Sequence, residues 1–133
     1  MRPVLITGAT GTLGRAFERL CVERHLACLV TTRAELDITS SSSTARTLDR
    51  LEPWLVINTA GYVRVDEAEG DRDRCHRENA IGPENLAAAC ATRDVSLVTF
   101  SSDLVFDGEK REPYDEEDAP APLGVYGQSK HEG

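Results

Sequence analysis

Aromatic residues make up only 5% of the chain, and four cysteines, Cys21, Cys28, Cys75 and Cys90, occur among its 133 residues. None of the four stands in a CxxC pair or at metal-ligand spacing, so zinc and a disulfide framework are set aside in favour of buried, reduced thiols. No metal is expected. No apolar run approaches the ~20 residues that a membrane-spanning helix requires. Basic residues are in deficit, 15 Lys and Arg against 23 Asp and Glu, for a formal net charge of −8. Nucleic-acid partners ask for a basic face, which argues against phosphate-backbone binding as the main activity. Much of the acidity falls in DGEKREPYDEED, Asp107 to Asp118. That charge-rich, proline-containing stretch reads as a solvated loop rather than an acidic recognition site. The opening MRPVLITG carries one positive residue and lacks the longer apolar region and cleavage site of a secretory signal, so the expected compartment is the cytoplasm.

What is present is an alternation of short apolar runs and helical patterns. The length suits one domain with a real core. Val4-Leu5-Ile6 reads as a buried parallel strand that ends in glycines, and Leu13, Phe17, Leu20 and Cys21 follow at helical spacing. A second strand is expected over Leu26 to Val30. The hydroxyls of Ser40 to Thr44 are placed to cap a helix reaching about Leu51, which Pro53 closes off before a third strand at Trp54 to Ile57. A long helical region from Val65 to Ala91 should be kinked or divided at Gly82-Pro83, and a fourth strand is expected over Ser96 to Phe100. Strands alternating with helices imply an α/β, doubly wound parallel sheet with helices on both faces, in the order 3-2-1-4. Ligands would then bind in the crevice between strands 1 and 4, where the winding reverses. His25, His76 and His131 show no partner pattern and read as surface or helix residues.

The loop Gly8-Ala9-Thr10-Gly11-Thr12-Leu13-Gly14 joins strand 1 to the first helix. Glycines let a backbone approach a pyrophosphate, and the helix start offers unpaired N–H groups and a favourable partial charge. The spacing is GxxGxxG and departs from GxGxxG, so the position between strand and helix carries the assignment. An acidic residue about 20 residues on would hold a ribose 2′-hydroxyl. This chain instead has Val30-Thr31-Thr32-Arg33, which favours a 2′-phosphate on Arg33 and hence NADP(H), with NAD(H) possible and a merely solvated Arg33 the competing reading. Asp37 and Ile38 are candidates for the adenine contact, and Asn58, Thr59, Ala60 and Gly61 for the crevice wall.

Strand 4 runs into Ser101-Ser102-Asp103, and Tyr126 and Lys130 follow four apart in VYGQSK. Residues four apart share a helix face, so the Lys130 ammonium would favour the ionised phenol and let Tyr126 act as acid or base below its free value of about 10. A hydroxyl from Ser102 would stabilise negative charge forming on a carbonyl oxygen. YxxxK alone is common; its order after a glycine loop and a strand-ending serine makes it informative.

These residues resemble the extended short-chain dehydrogenase/reductase family. Within it they are most similar to the dTDP-4-dehydrorhamnose reductases, through TGATGTLG, ELDIT, VINTAGYVRVDEAE, NAIGPENLA, SSDLVFDG and PLGVYGQSK. The resemblance covers nearly the whole chain. It implies a Rossmann-like fold and reduction of a 4-keto group on a deoxysugar nucleotide by a nicotinamide. It further implies that Tyr126 protonates the new alkoxide, that Lys130 binds the nicotinamide ribose, that Ser102 orients the ketone, and that Asp103 helps position substrate. Ser101, Tyr126 and Lys130 would also touch the cofactor. Two departures stand out. Leu104 replaces the tyrosine usual in the subgroup, which leaves the sugar open. Such enzymes also continue for more than a hundred further residues. The chain is therefore expected to be an NAD(P)-binding domain incomplete at its carboxyl end, without the substrate-binding domain and inactive alone, with strand 4 as an exposed edge available for pairing or a homodimer. A non-catalytic alternative is also similar: the regulatory beta subunit of methionine adenosyltransferase shares SSD, VFDG and PAPL.

Overall fold

The computed structural model describes residues 2–133. The strands are β1 (Val4–Thr7), β2 (Cys28–Thr31), β3 (Leu55–Asn58) and β4 (Ser96–Val98). The helices are α1 (Thr12–Glu23), α2 (Ser41–Leu51), α3 (Arg72–His76), α4 (Gly82–Ala91) and α5 (Val125–Glu132). All strand pairs are parallel, with Val4 opposite Cys28 on one side and Leu55 on the other. β1 is buried along its whole length.

Alternate side chains sort the core into two layers, because successive strand residues face opposite ways. Leu5 and Val56 pack with Leu48 of α2 and Leu86, Ala89 and Cys90 of α4. Val4, Ile6 and Ile57 pack on the other face with Cys21 and Phe17 of α1, where the Phe17 and Phe100 rings lie 5.7 Å apart. Fully burying each such aliphatic is worth about 1.5–3 kcal/mol. Cys21, Cys75 and Cys90 are buried, Cys28 is half-buried, and all four are free thiols.

The strand order is β2-β1-β3-β4, not the expected 3-2-1-4. The chain leaving β2 turns at once. Glu35 and Leu36 donate their N–H groups back to the Thr32 carbonyl, and the Glu35 carboxylate accepts from the Thr32 N–H and hydroxyl at 2.8 Å each. Among the described residues no strand runs outside β2, so β2 is an edge of this sheet and the segment expected as strand 3 crosses back to pair with β1. The winding therefore reverses between β1 and β3, not between strands 1 and 4.

The other sequence expectations for the elements hold with shifted bounds. Ser40 caps α2, its hydroxyl accepting from the Ser43 N–H at 3.3 Å. The helical region before Ala91 is divided, as expected near Gly82: a 3-10 turn at Ala68–Gly70 precedes α3, and a π-type turn at Arg77–Ile81 joins α3 to α4. The loop from Asp107 to Asp118 is largely exposed and held by its own side chains, with Tyr114 donating to Asp107 at 3.0 Å and Lys110 paired with Asp118. No helix among the described residues is long and apolar enough to cross a membrane.

Candidate functional site

The ends of β1 and β3 are locked together by side chains. Thr7 donates its hydroxyl to Asn58 Oδ1 at 2.6 Å and accepts from the Thr59 and Ala60 N–H groups, while Asn58 Nδ2 reaches Thr99 Oγ1 at 3.3 Å. Asn58, a sequence candidate for the crevice wall, is thus turned into the sheet, 3% exposed. What it fixes is the spacing of the two loops that leave the strand ends.

The first of those loops needs its glycines at defined points. Gly8 has φ +76°, in the left-handed region, and an added Cβ would stand 2.9 Å from the Ala60 nitrogen. A Cβ on Gly14 would stand 2.4 Å from the Gly8 carbonyl oxygen, so α1 packs directly onto the loop backbone. Gly11 precedes α1 and no side chain caps that helix, nor does its first turn hold an acidic residue. The first-turn amides of Thr12 and Leu13 are left for an anion, as a diphosphate would use them.

Beside this loop lies a cavity of about 290 Å³. Gly8, Thr10, Gly11, Thr59, Ala60 and Gly61 line its inner side, and Arg33, Asp37 and Ile38 its outer side, so nine of the sequence candidates meet in one place. Val63 and Glu78 also line it and were not expected. Glu78 is 8% exposed, and one of its oxygens accepts from Arg33 Nη1 at 2.6 Å and from Arg74 Nε at 2.8 Å. Burial pushes its carboxyl up, but the two guanidinium groups outweigh burial and hold it below the usual carboxylate range. Asp37 shows the same balance, with Thr39 and Arg33 overcoming burial. The four-residue spacing of Arg74 and Glu78 is a salt-bridge signal in the sequence. The contact with Arg33, 45 residues away, leaves none.

The second group of candidates lies apart from the first. Tyr126 and Asp103 line a cavity of about 470 Å³ with Leu104, Phe106 and Leu123. Lys130 and Ser101 line another, of about 280 Å³, with Thr99 and Phe100. Ser102 is engaged locally: its hydroxyl donates to Asp103 Oδ1 at 3.1 Å and accepts from the Leu104 N–H at 3.2 Å. The expectation that Lys130 would favour ionised Tyr126 is corrected. Burial first, and then Cys75 and Asp103, push the phenol up from its ordinary value, and Lys130 is not among the groups that act on it. Lys130 is itself pushed down by burial, partly offset by Cys75. Half-burial of both side chains favours their neutral forms, and that outweighs their shared helix face.

α5 is positioned by groups from three other segments. Glu69 Oε1 accepts from the Val125 N–H at 2.8 Å, supplying the cap that Gly124 lacks. Ser129 contacts Cys75 Sγ at 3.2 Å and accepts from Asn79 Nδ2 at 3.1 Å, and Asn79 also bonds both backbone groups of Tyr62. His76 Nδ1 meets Glu132 Oε2 at 2.9 Å, so this histidine has a partner that the sequence reading did not give it.

Comparison with known proteins places this geometry. A family model described as the RmlD substrate binding domain matches residues 1–133. The dTDP-4-dehydrorhamnose reductase of Mycolicibacterium smegmatis is 37% identical over 131 residues, covering 98% of the chain and 39% of that protein. The dTDP-4-keto-6-deoxy-D-glucose reductase of Streptomyces niveus is 38% identical over 97% of the chain and 45% of its own length. Among solved structures, the dTDP-4-dehydrorhamnose reductase of Bacillus anthracis in complex with NADP superposes with a TM-score of 0.93 at 37% identity, over 98% of the chain and 47% of that protein. The chain thus spans less than half the length of these relatives.

Proposed function

The chain belongs to the RmlD substrate binding domain family, and from that premise we propose that it is the cofactor-binding portion of an NADPH-dependent reductase acting on the 4-keto group of a 6-deoxysugar nucleotide. The observation that carries the reading is the cavity at the β1/β3 switch point, where uncapped α1, the glycine loop and Arg33 converge. Its residues fit a dinucleotide: the Gly8–Gly14 loop admits a diphosphate against backbone, Arg33 is the one cation among the described residues on the cavity wall for a 2′-phosphate, and Ile38 offers an apolar contact for adenine. When bound, the nicotinamide supplies the hydride.

The chain's own residues do the rest. Tyr126, a phenol that is protonated at neutral pH, donates its proton to the carbonyl oxygen as negative charge develops there. The Ser102 hydroxyl gives up its bond to Asp103 and turns to the same oxygen, orienting the ketone. Lys130, half-buried beside Ser101, binds the nicotinamide ribose. Leu123, 80% exposed, and Leu104 give the substrate side an apolar wall. Leu104 leaves the sugar itself undetermined.

A second reading, a dinucleotide-binding subunit without turnover, is favoured by one observation: Tyr126 and Lys130 face different cavities. One experiment separates the two. NADPH oxidation is followed with dTDP-4-keto-6-deoxysugars for the full-length protein and for Tyr126→Phe. The reductase reading expects turnover that drops at least a hundredfold in the variant while NADPH affinity is kept. Tight NADPH binding without turnover in the unaltered protein would establish the binding role instead.

A further inference from the structure

Arg33 is the cation at the outer end of the cavity, and it is not free. It follows β2 by two residues, its side chain is 60% exposed, and its Nη1 is held at 2.6 Å by Glu78, whose side chain is only 10% exposed. The flexible, solvated partner is therefore tethered to the fixed one. Glu78 comes from the π-type turn between α3 and α4, and its charge is shared with Arg74 behind it, at 2.8 Å on the same oxygen. Asp37 stands on the cavity wall as well, accepting from the Thr39 N–H at 3.0 Å and hydroxyl at 2.8 Å. The outer wall thus presents one guanidinium against two carboxylates.

We propose that Glu78 is a selectivity-setting residue: by pairing with Arg33 it holds back the preference of the cavity for a 2′-phosphorylated dinucleotide over one with a free ribose diol. The proposal rests on the cofactor reading above. A dinucleotide whose diphosphate lies on the glycine loop brings its adenosine ribose past the end of β2, beside Arg33. A 2′-phosphate, carrying close to two negative charges, meets there a guanidinium already compensated by a carboxylate, with a second carboxylate close by. A ribose diol meets the same carboxylates as hydrogen-bond acceptors and is not penalised. Arg74 tempers the effect, because it draws part of the Glu78 charge away from Arg33.

The opposite role, Glu78 as a scaffold that presents Arg33 to the phosphate, predicts the opposite sign. Glu78→Gln separates the two, since the amide keeps the shape and an acceptor oxygen while the charge is lost. Dissociation constants for NADPH and NADH are measured by fluorescence titration of the full-length protein and of two variants. Glu78→Gln is expected to tighten NADPH roughly tenfold and to move NADH by no more than about twofold. Arg74→Gln, which leaves the Glu78 charge wholly on Arg33, is expected to weaken NADPH several-fold with NADH again little moved. General damage to the fold cannot produce shifts of opposite sign confined to one cofactor. An unchanged NADPH-to-NADH ratio in Glu78→Gln, or weaker NADPH binding, overturns the proposal. Should Glu78→Gln not fold, an unchanged ratio in Arg74→Gln does so alone. If the unaltered protein binds neither cofactor, the cofactor reading itself fails.

Discussion

Within one loop, Gly11 and Gly14 are held to glycine by different neighbours. Gly14 faces backbone: an added Cβ would come within 2.4 Å of the Gly8 carbonyl oxygen, which cannot move without opening the turn. Gly14→Ala should therefore cost about 1–3 kcal/mol of stability, the usual range for overpacking. Gly11 faces the cavity, and its Cβ would find only an ordinary contact, 3.4 Å from the same oxygen. Gly11→Val should lose no more than about 1 kcal/mol, from an unsuitable residue at the helix start. Its branched side chain would nonetheless stand where a diphosphate must approach, so NADPH affinity should fall by more than tenfold, on the order of a blocked backbone contact. Urea unfolding and NADPH titration on the two variants check the pair. Equal losses of stability, or NADPH affinity unchanged in Gly11→Val, would dissociate the loop from the cofactor. All three glycines are visible in the sequence as a triad. What the sequence cannot display is that only one of the last two points at open space.

Strand pairing shows the same limit one level up. β1, β2 and β3 are each legible as apolar runs, and the Ser40 cap and the break near Gly82 follow from local chemistry. The order of the strands is not local. It is set by which strand the crossover after β2 returns to, and no residue next to the turn that Glu35 caps at Thr32 announces it. Once β3 lies beside β1, Thr7 and Asn58 bond at 2.6 Å, 51 positions apart. Asn58→Ala removes the acceptor of a buried hydroxyl and the donor to Thr99, so the cost should be about 2–3 kcal/mol, typical of orphaned buried polar groups. In a double-mutant cycle with Thr7→Val, urea unfolding should give a combined loss well below the sum of the single losses. Additive losses would mean that the two side chains do not act as a pair. The Glu69 cap on α5 and the His76–Glu132 contact belong to the same class, long-range ties that place an element the sequence had already revealed.

At the scale of the molecule, acidity dominates: the formal net charge is −8 and the isoelectric point is near 4.8. Two effects of opposite sign follow as pH falls from neutrality. Loss of negative charge relieves self-repulsion and stabilises the fold down to about the isoelectric point. Against this, several carboxylates are held below their ordinary values in the folded state. Glu69 is held down chiefly by the Val125 N–H and Asp118 by Lys110, while at Glu78 two arginines overcome burial. A carboxylate depressed on folding contributes stability that is fully present above its unfolded value, about 4, and is lost as pH falls through the lower folded value. Stability should thus be flat or rising from pH 8 to about 5 and should drop steeply below about 4, where the unfolded chain takes up protons that the folded one resists. Thermal unfolding followed by circular dichroism from pH 8 to 3 traces the curve. Glu78→Gln gives the discriminating trace. With the Glu78 carboxylate that Arg33 and Arg74 hold ionised removed, its acid limb should be shallower than that of the unaltered protein. An identical limb would mean that the triad contributes nothing to the acid response, and that the loss of stability belongs to the exposed pairs alone.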